Sequence, residues 1–480
     1  MKYIKEVKIV GLHGRKEAKL KLNSGLNIIH GKNGTGKTTF LHVIANLLEG
    51  DIERFCHLAF HEIQIASSEG KKIQIKQLNE NGQTFVQVDF DKSSLTIKKG
   101  ERVPLELENY IKDSFGGRPV YLPAFRSILE EVSRSTGQDR YIRGAIGRDN
   151  AAFSTPDEER EQQILIEKLE KENAENARNQ VLTYRTTRER VSNVFAKTLL
   201  CRKWFGQFVP IIRYPSLNEV YDQIVAEMRV ADLEVAKNDQ DALVKVFAEV
   251  IKIILKPTDD KIFQNEDEVL AKLQNNLSII SRDQQETRSI YQEISSILKT
   301  IDPNDYSVKS GGKISPVLEI YNNVLENRIE VQNHALKNLK ILESSINKFL
   351  EGKEIKIGIN FRKQDINFII FSDGKKSSFN VLSSGERHIV TLLFSVTHMS
   401  NTKGIVLVDE PELSLHIDWQ KIILRELMSQ IKQKQVLVCT HSPDVISDYF
   451  EHLIEIKPKK WTPSLQDQDQ IDRILLQEEF

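Results

Sequence analysis

In KYIKEVKIVGL, at the start of the chain, apolar side chains alternate with charged ones. That is the period of a strand with one buried face. FHEIQIA, KKIQIKQL and TFVQVDF repeat it, so several short strands are expected before residue 125. KLNSGLNIIHGKNG runs from a turn into a short apolar strand. TTFLHVIANLLEG then takes the helical period, apolar at positions 40, 41, 43, 44, 47 and 48, with Gly50 as its stop.

Beyond residue 130 the strand patterns give way to long polar-rich helical stretches. PDEEREQQILIEKLEKENAENARNQ and SPVLEIYNNVLENRIEVQNHALKNLKILESSINKFL are the clearest, and YPSL, KPTDD and DPNDYSVKSGGKISP read as the loops between helices. No 3.5-residue repeat is sustained over many heptads, which argues against a long coiled coil. After Gly352 strands return in EIKIGINF, INFIIFS and SFNVLSSGE. GIVLVDEPE and QVLVCTHS then read as buried strands around the amphipathic helix IDWQKIILRELMSQIKQ. The expected organisation is an α/β core split in two, with lobes at 1–130 and 353–480 and a mainly helical insertion at 131–352.

With 480 residues, 40% apolar and 28% charged, the chain can bury a sizeable core as a soluble globular protein. A formal net charge of -1 excludes a global field that would attract nucleic acid or anionic lipid. Locally, Lys2, Lys5, Lys8, Arg15, Lys16, Lys19 and Lys21 precede Gly25 against only Glu6 and Glu17, a stripe that could meet phosphates. Solvated faces of exposed strands look the same. Cys56, Cys201 and Cys439 stand apart with no CxxC pair, and no apolar run nears the roughly 18 residues that span a bilayer. The N-terminus reads as a strand rather than a signal peptide, so a cytoplasmic protein without membrane contact is expected.

Three segments carry chemistry. GKNGTGKT (Gly31, Lys32, Asn33, Gly34, Thr35, Gly36, Lys37, Thr38), followed by Thr39, matches G-x-x-x-x-G-K-[ST] between an apolar strand and an amphipathic helix. Its glycines let backbone N–H groups wrap a phosphate, Lys37 can reach the β and γ phosphates, and Thr38 can offer a hydroxyl to Mg²⁺. In IVLVDEPE a buried strand ends in Asp409 and Glu410, at the strand edge where ligands of parallel sheets bind. Asp409 suits the metal, and Glu410 suits a general base on the attacking water. VLVCTHSPD ends a further strand in Thr440, His441 and Ser442, where an imidazole could sense the γ-phosphate. LSSGERHIV (Leu382–Val390) opens a helix with Ser383, Ser384, Gly385 and Glu386. It reads either as a capping box or as a second anion site.

Taken in chain order, these three segments and LSSGERHIV resemble the head of ABC-type ATPases: phosphate loop, signature loop, acidic strand, D-loop at Ser414–His416, and switch histidine. The resemblance covers about 250 residues at the two ends of the chain. It implies an ABC-type P-loop ATPase head split by a large helical insertion, using ATP and Mg²⁺. It also implies two heads paired head-to-tail, with Ser384 and Gly385 of one head, flanked by Ser383 and Glu386, capping ATP on the other. VYLPAFRSI stands where the family has its Q-loop glutamine but lacks one. Arg126 is the nearest polar group, open to phosphate binding or to a structural salt bridge, and the stretch resembles the P-x-[YF]-R segment of SMC-like and overcoming-lysogenization-defect-like ATPases.

The length of the insertion points to the SMC/RecF/overcoming-lysogenization-defect branch rather than to compact transporter subunits. A zinc-hook CxxC is missing, and the segment after His441 is too short for a Toprim nuclease. The chain is thereby similar to the ATPase subunits of the PARIS, Septu and retron anti-phage systems. That likeness implies a sensor or regulator of a separate nuclease or toxin. The alternative is a RecF/SMC-like repair ATPase binding DNA across its paired heads.

Overall fold

The computed structural model describes residues 2–80, 83–125, 129, 156–177, 184–255, 266–283, 314–357, 368–399, 404–431 and 433–462. The alternating N-terminal segments form β1 (Ile4–Leu12), β2 (Lys16–Lys21), β4 (Glu62–Ser67), β5 (Lys72–Glu80), β6 (Gln83–Phe90) and β7 (Ser93–Lys98). With β15 (Lys459–Lys460) they make an antiparallel sheet in the order β15-β2-β1-β4-β5-β6-β7. Ile63, Ile65, Ile73, Ile75, Val86 and Val88 sit at every second position and are buried, which is what period-two patterning requires of one face.

The second sheet is parallel throughout, in the order β14-β3-β13-β12-β8. Its members are β3 (Leu26–His30), β8 (Gly117–Leu122), β12 (Gly404–Asp409), β13 (Val436–Thr440) and β14 (Leu453–Glu455). All six residues of β12 are buried, as expected of a strand covered on both faces. Helix α1 (Lys37–Glu49) packs on β8, β12 and β13. It ends at Gly50, whose φ of 64° gives the left-handed cap anticipated there.

By backbone contacts the chain divides into two units, Met1–Leu217 with Ser383–Phe480, and Asn218–Leu382. The first holds both sheets, α1, α2 (Leu105–Phe115), α3 (Pro156–Ala177) and α4 (Tyr184–Phe205). Leu165, Leu169, Phe195 and Ile211 form a local core where α3 meets α4. Beneath it runs a buried network of charge that starts at the far end of α1. Arg213 pairs with Glu49 at 2.5 Å and Glu172 at 2.8 Å. Arg202 pairs with Asp51 at 2.9 Å, and Arg54, 0% exposed, pairs with Glu53 at 2.8 Å and Glu161 at 2.6 Å. Burial alone would raise Glu161, but the His57 hydrogen bond and the Arg54 charge outweigh it and hold its carboxyl at about 2.

The second unit contains α5 (Leu217–Leu255, from Asn218), α6 (Glu266–Asp283), α7 (Ile314–Ala335), α8 (Lys337–Asn347) and a three-stranded sheet of β9 (Lys353–Ile355), β10 (Ile369–Phe371) and β11 (Lys376–Ser377), in the order β11-β10-β9. Leu273, Leu277 and Ile280 of α6 pack on Leu325 of α7, and Arg328 of α7 pairs with Asp239 of α5 at 2.9 Å. Two expectations change here. The stretch read as one helix from Ser315 to Leu350 is interrupted at Leu336, where φ of −94° and ψ of 2° leave the α basin. SFNV, expected as a strand, is a 3₁₀ turn over Phe379–Val381, because the Ser378 hydroxyl accepts from the Asn380 N–H and tightens the backbone. β11 is confined to Lys376–Ser377 ahead of it.

His42 on α1 is buried beside Tyr121, its Nε2 2.8 Å from the phenol oxygen. Burial pushes its pKa down to about 3. The unfolded chain therefore binds one more proton than the native one between about pH 6.5 and that value. Stability is complete above pH 6.5 and falls as the pH drops below it, by about 2 kcal/mol at pH 5 for this one group. Unfolding free energies from urea titrations at pH 7 and pH 5 should therefore converge by that amount in His42→Asn. An unchanged pH slope would show that His42 is not the group responsible.

Candidate functional site

The P-loop leaves β3 at His30 and enters α1 through Gly34 (φ 73°) and Gly36 (φ 92°), values that only glycine adopts without strain. Gly36 caps α1 with no side-chain bond, so the first helical N–H groups face the loop. Thr35 Oγ1 donates to Lys32 O at 2.8 Å, closing the turn that carries the exposed Asn33. Lys37 is buried. Its Nζ donates to Gly31 O at 3.0 Å and lies 2.5 Å from Nε2 of His441. Desolvation lowers its pKa, partly offset by Cys439, Glu410 and Asp409. Thr39 is half-buried beside it.

Parallel pairing of β12 with β13 and of β13 with β3 brings Asp409 level with Cys439 and His30 level with Thr440. The acidic strand end, the histidine strand end and the P-loop therefore emerge on one edge. Thr38 Oγ1 donates to Asp409 Oδ2 at 2.9 Å. Glu410 comes next in a left-handed conformation (φ 46°), uncommon for a non-glycine residue, with its N–H bound to Cys439 O at 2.8 Å. Its Oε1 is 3.7 Å from His441 Nε2. Burial and then the Lys37 charge lower the His441 pKa, so the imidazole is neutral at neutral pH and can accept from Lys37. A cation and a carboxylate that both approach one nitrogen of a neutral imidazole, beside a nest of N–H groups, suit binding and attack at a terminal phosphate.

In LSSGERHIV the capping-box reading is realised. Ser383 N donates to Glu386 Oε2 at 2.7 Å, and Glu386 N donates to Ser383 Oγ at 3.4 Å. Ser383 and Ser384 remain exposed at the start of α9 (Ser384–Met399). Gly385 has a packing reason as well, since a Cβ there would lie 3.1 Å from Ser414 O and 3.2 Å from the Trp419 ring. This loop thus rests on the turn at Ser414 (φ 66°) of its own chain. Arg126 lies outside the described residues. In the basic stripe, Lys8 pairs with Glu17 at 3.3 Å, Lys19 with Glu6 at 2.8 Å, and Lys16 donates to Gly34 O, so three of its cations already have partners within the chain.

Two side chains at this edge went unread in the sequence. Glu412 and Gln420 bind the turn that carries His441. The first stands inside DEPE, where two acids already had roles, and the second has no spacing signal on its helix.

The family model described as an AAA ATPase domain matches residues 1–446, both lobes and the stretch between them. This chain belongs to the AAA ATPase domain family. Among curated relatives, a retron Vc95 probable ATPase of Vibrio cholerae serotype O1 biovar El Tor is 28% identical over 195 residues. That match covers 35% of this AAA ATPase and 37% of the relative. The Septu protein PtuA of Bacillus thuringiensis is 51% identical over 47 residues, 10% of this chain and 12% of PtuA. These matches span well under half of either relative. Among solved structures, a Smc head domain with an extended coiled coil, bound to the C-terminal domain of ScpA and derived from Pyrococcus furiosus, aligns over 98% of both chains. Its identity is 12% and its TM-score 0.36, too low to bear on the site. No helix among the described residues is long and apolar enough to cross a membrane.

Proposed function

We propose that this AAA ATPase binds and hydrolyses ATP as a head-to-tail pair of ABC-type heads and, through that cycle, senses infection or gates a separate effector in anti-phage defence. The observation that carries the hydrolytic part is the cluster of Lys37, His441 and Glu410, with His441 Nε2 2.5 Å from Lys37 Nζ and 3.7 Å from Glu410 Oε1 beside the P-loop. Lys37 would hold the β and γ phosphates, Gly31 to Thr39 would wrap them, Glu410 would take the proton of the attacking water, and His441 would report the γ-phosphate. The Thr38 hydroxyl and the Asp409 carboxylate, 2.9 Å apart, are oxygen donors of the kind Mg²⁺ takes, and they would hold that ion. When bound, it neutralises charge on the phosphates.

Pairing is supported by exposed Ser383 and Ser384 at a helix N-terminus, with Glu386 fixing the cap, which suits an anion supplied by another copy. The defence role is supported by likeness to a retron ATPase and to PtuA, and the effector is expected to be a nuclease or toxin.

Ser384→Arg should leave ATP binding by single heads intact, abolish the ATP-dependent dimer in light scattering, and stop hydrolysis. Normal hydrolysis by that variant would sink the in-trans reading. The effector is tested by capturing tagged Glu410→Gln protein with ATP from its native cells, with Ser384→Arg as control. A nuclease-like or toxin-like protein held only by the pairing-competent form is the expected result. DNA recovered with repair proteins, and no such effector, would overturn it.

A further inference from the structure

The turn Thr440–Ser442 carries His441 and is held from one point. Glu412 Oε1 accepts from Thr440 Oγ1 at 2.7 Å, from the His441 N–H at 2.8 Å and from the Ser442 N–H at 3.1 Å. Three donors converging on one carboxylate oxygen form bonds stronger than neutral ones, and they fix the backbone on both sides of the imidazole. Among the described residues the other oxygen, Oε2, is buried without a hydrogen bond, and the three contacts are those this carboxylate makes there. A second tie runs through Gln420 on α10 (Ile417–Gln430): Ser442 Oγ donates to its Oε1 at 2.7 Å, and its Nε2 donates to Leu415 O at 3.0 Å. Leu415 lies in the Ser414–His416 turn, on which Gly385 rests.

We propose that Glu412 is the positioning residue of the site, holding His441 against Lys37 and Glu410, and that Gln420 links that held turn to the loop next to the signature serines. Among the described residues the bonds of the Glu412 carboxylate go to the turn itself, so it acts through His441. The inference rests on the reading of His441 and Glu410 as parts of a hydrolytic site. It adds a route by which events at Ser414 and Gly385 reach the imidazole without passing through the P-loop.

The test is steady-state ATP hydrolysis and nucleotide binding by the full chain in a double-mutant cycle. Glu412→Ala should lower kcat about 10- to 100-fold, the scale of a misplaced group, while KM and ATP affinity change little. Glu412→Gln, whose amide oxygen can accept the same three bonds, should recover most of that loss. In a His441→Ala background Glu412→Ala should cost almost nothing more, because two residues acting as one unit are not additive. Gln420→Ala should show a smaller loss with the same dependence on His441, and it decides the matter if Glu412→Ala fails to fold by circular dichroism.

A loss that is equally large with and without His441, or one confined to KM, overturns the positioning role. If His441→Ala hydrolyses ATP at the wild-type rate, the reading of the hydrolytic site itself has failed. The two failures are therefore distinguishable.

Discussion

Glu410→Gln protein will bind ATP about as tightly as the wild type and hydrolyse it roughly 10² to 10⁴ times more slowly, the usual cost of losing a general base. The geometry gives the reason. Glu410 is held in a left-handed backbone conformation by its bond to Cys439 O, and its carboxylate reaches to 3.7 Å from His441 Nε2. An amide keeps the shape and the backbone, so phosphate binding through Lys37 and the loop N–H groups is untouched; the basic oxygen alone is lost. Single-turnover hydrolysis beside equilibrium binding of a fluorescent ATP analogue separates the two quantities. Hydrolysis at the normal rate would remove Glu410 from the role of base.

Lys37→Ala should act on the other quantity. The Lys37 ammonium is held by the carbonyls of Gly31 and Lys32 and by the His441 ring, in a buried setting that already disfavours its charge. Such a cation is costly to keep unless something anionic is to be bound there. Bonds to charged groups contribute about 1.5–3 kcal/mol each, so losing contacts to two phosphates weakens ATP binding by roughly 10² to 10⁴-fold. Calorimetric titration should show no measurable binding at micromolar ATP, with the thermal midpoint close to that of the wild type because the groups that hold the ammonium are neutral. Tight ATP binding by this variant would refute the P-loop assignment.

Local features were the legible ones in the sequence. Gly34, Gly36 and Lys37 are set by spacings of a few residues, so the glycine-rich turn, its helix and the Gly50 stop could be read. So could β12 and β13, whose unbroken apolar runs can only be buried strands, with Asp409 and His441 at their ends. The misreadings share a cause. SFNV has strand composition, but a single serine hydroxyl decides its backbone, and the break at Leu336 leaves the helical period almost undisturbed. Glu412 and Gln420 were invisible because their work is defined by a turn that lies roughly twenty to thirty positions further on and meets them only through the sheet. Arg54 was hidden in the same way, since Glu161 stands far along the chain and neither residue belongs to a periodic pattern.

The buried charges at the end of α1 bear on how such chains can be recombined. Arg202 and Arg213 belong to the stretch that leads into the Asn218–Leu382 unit, yet their carboxylate partners, Asp51 and Glu49, sit at the root of the P-loop helix. A chimera that replaced everything between the two lobes would leave Glu49 without Arg213 and Asp51, among the described residues, with only Arg54 at 3.9 Å, and a buried ion stripped of its counter-ion costs about 3–5 kcal/mol. Exchange of the Asn218–Leu382 unit between related ATPases is therefore confined to joints after Arg213, while the segment before it must be inherited together with the P-loop helix.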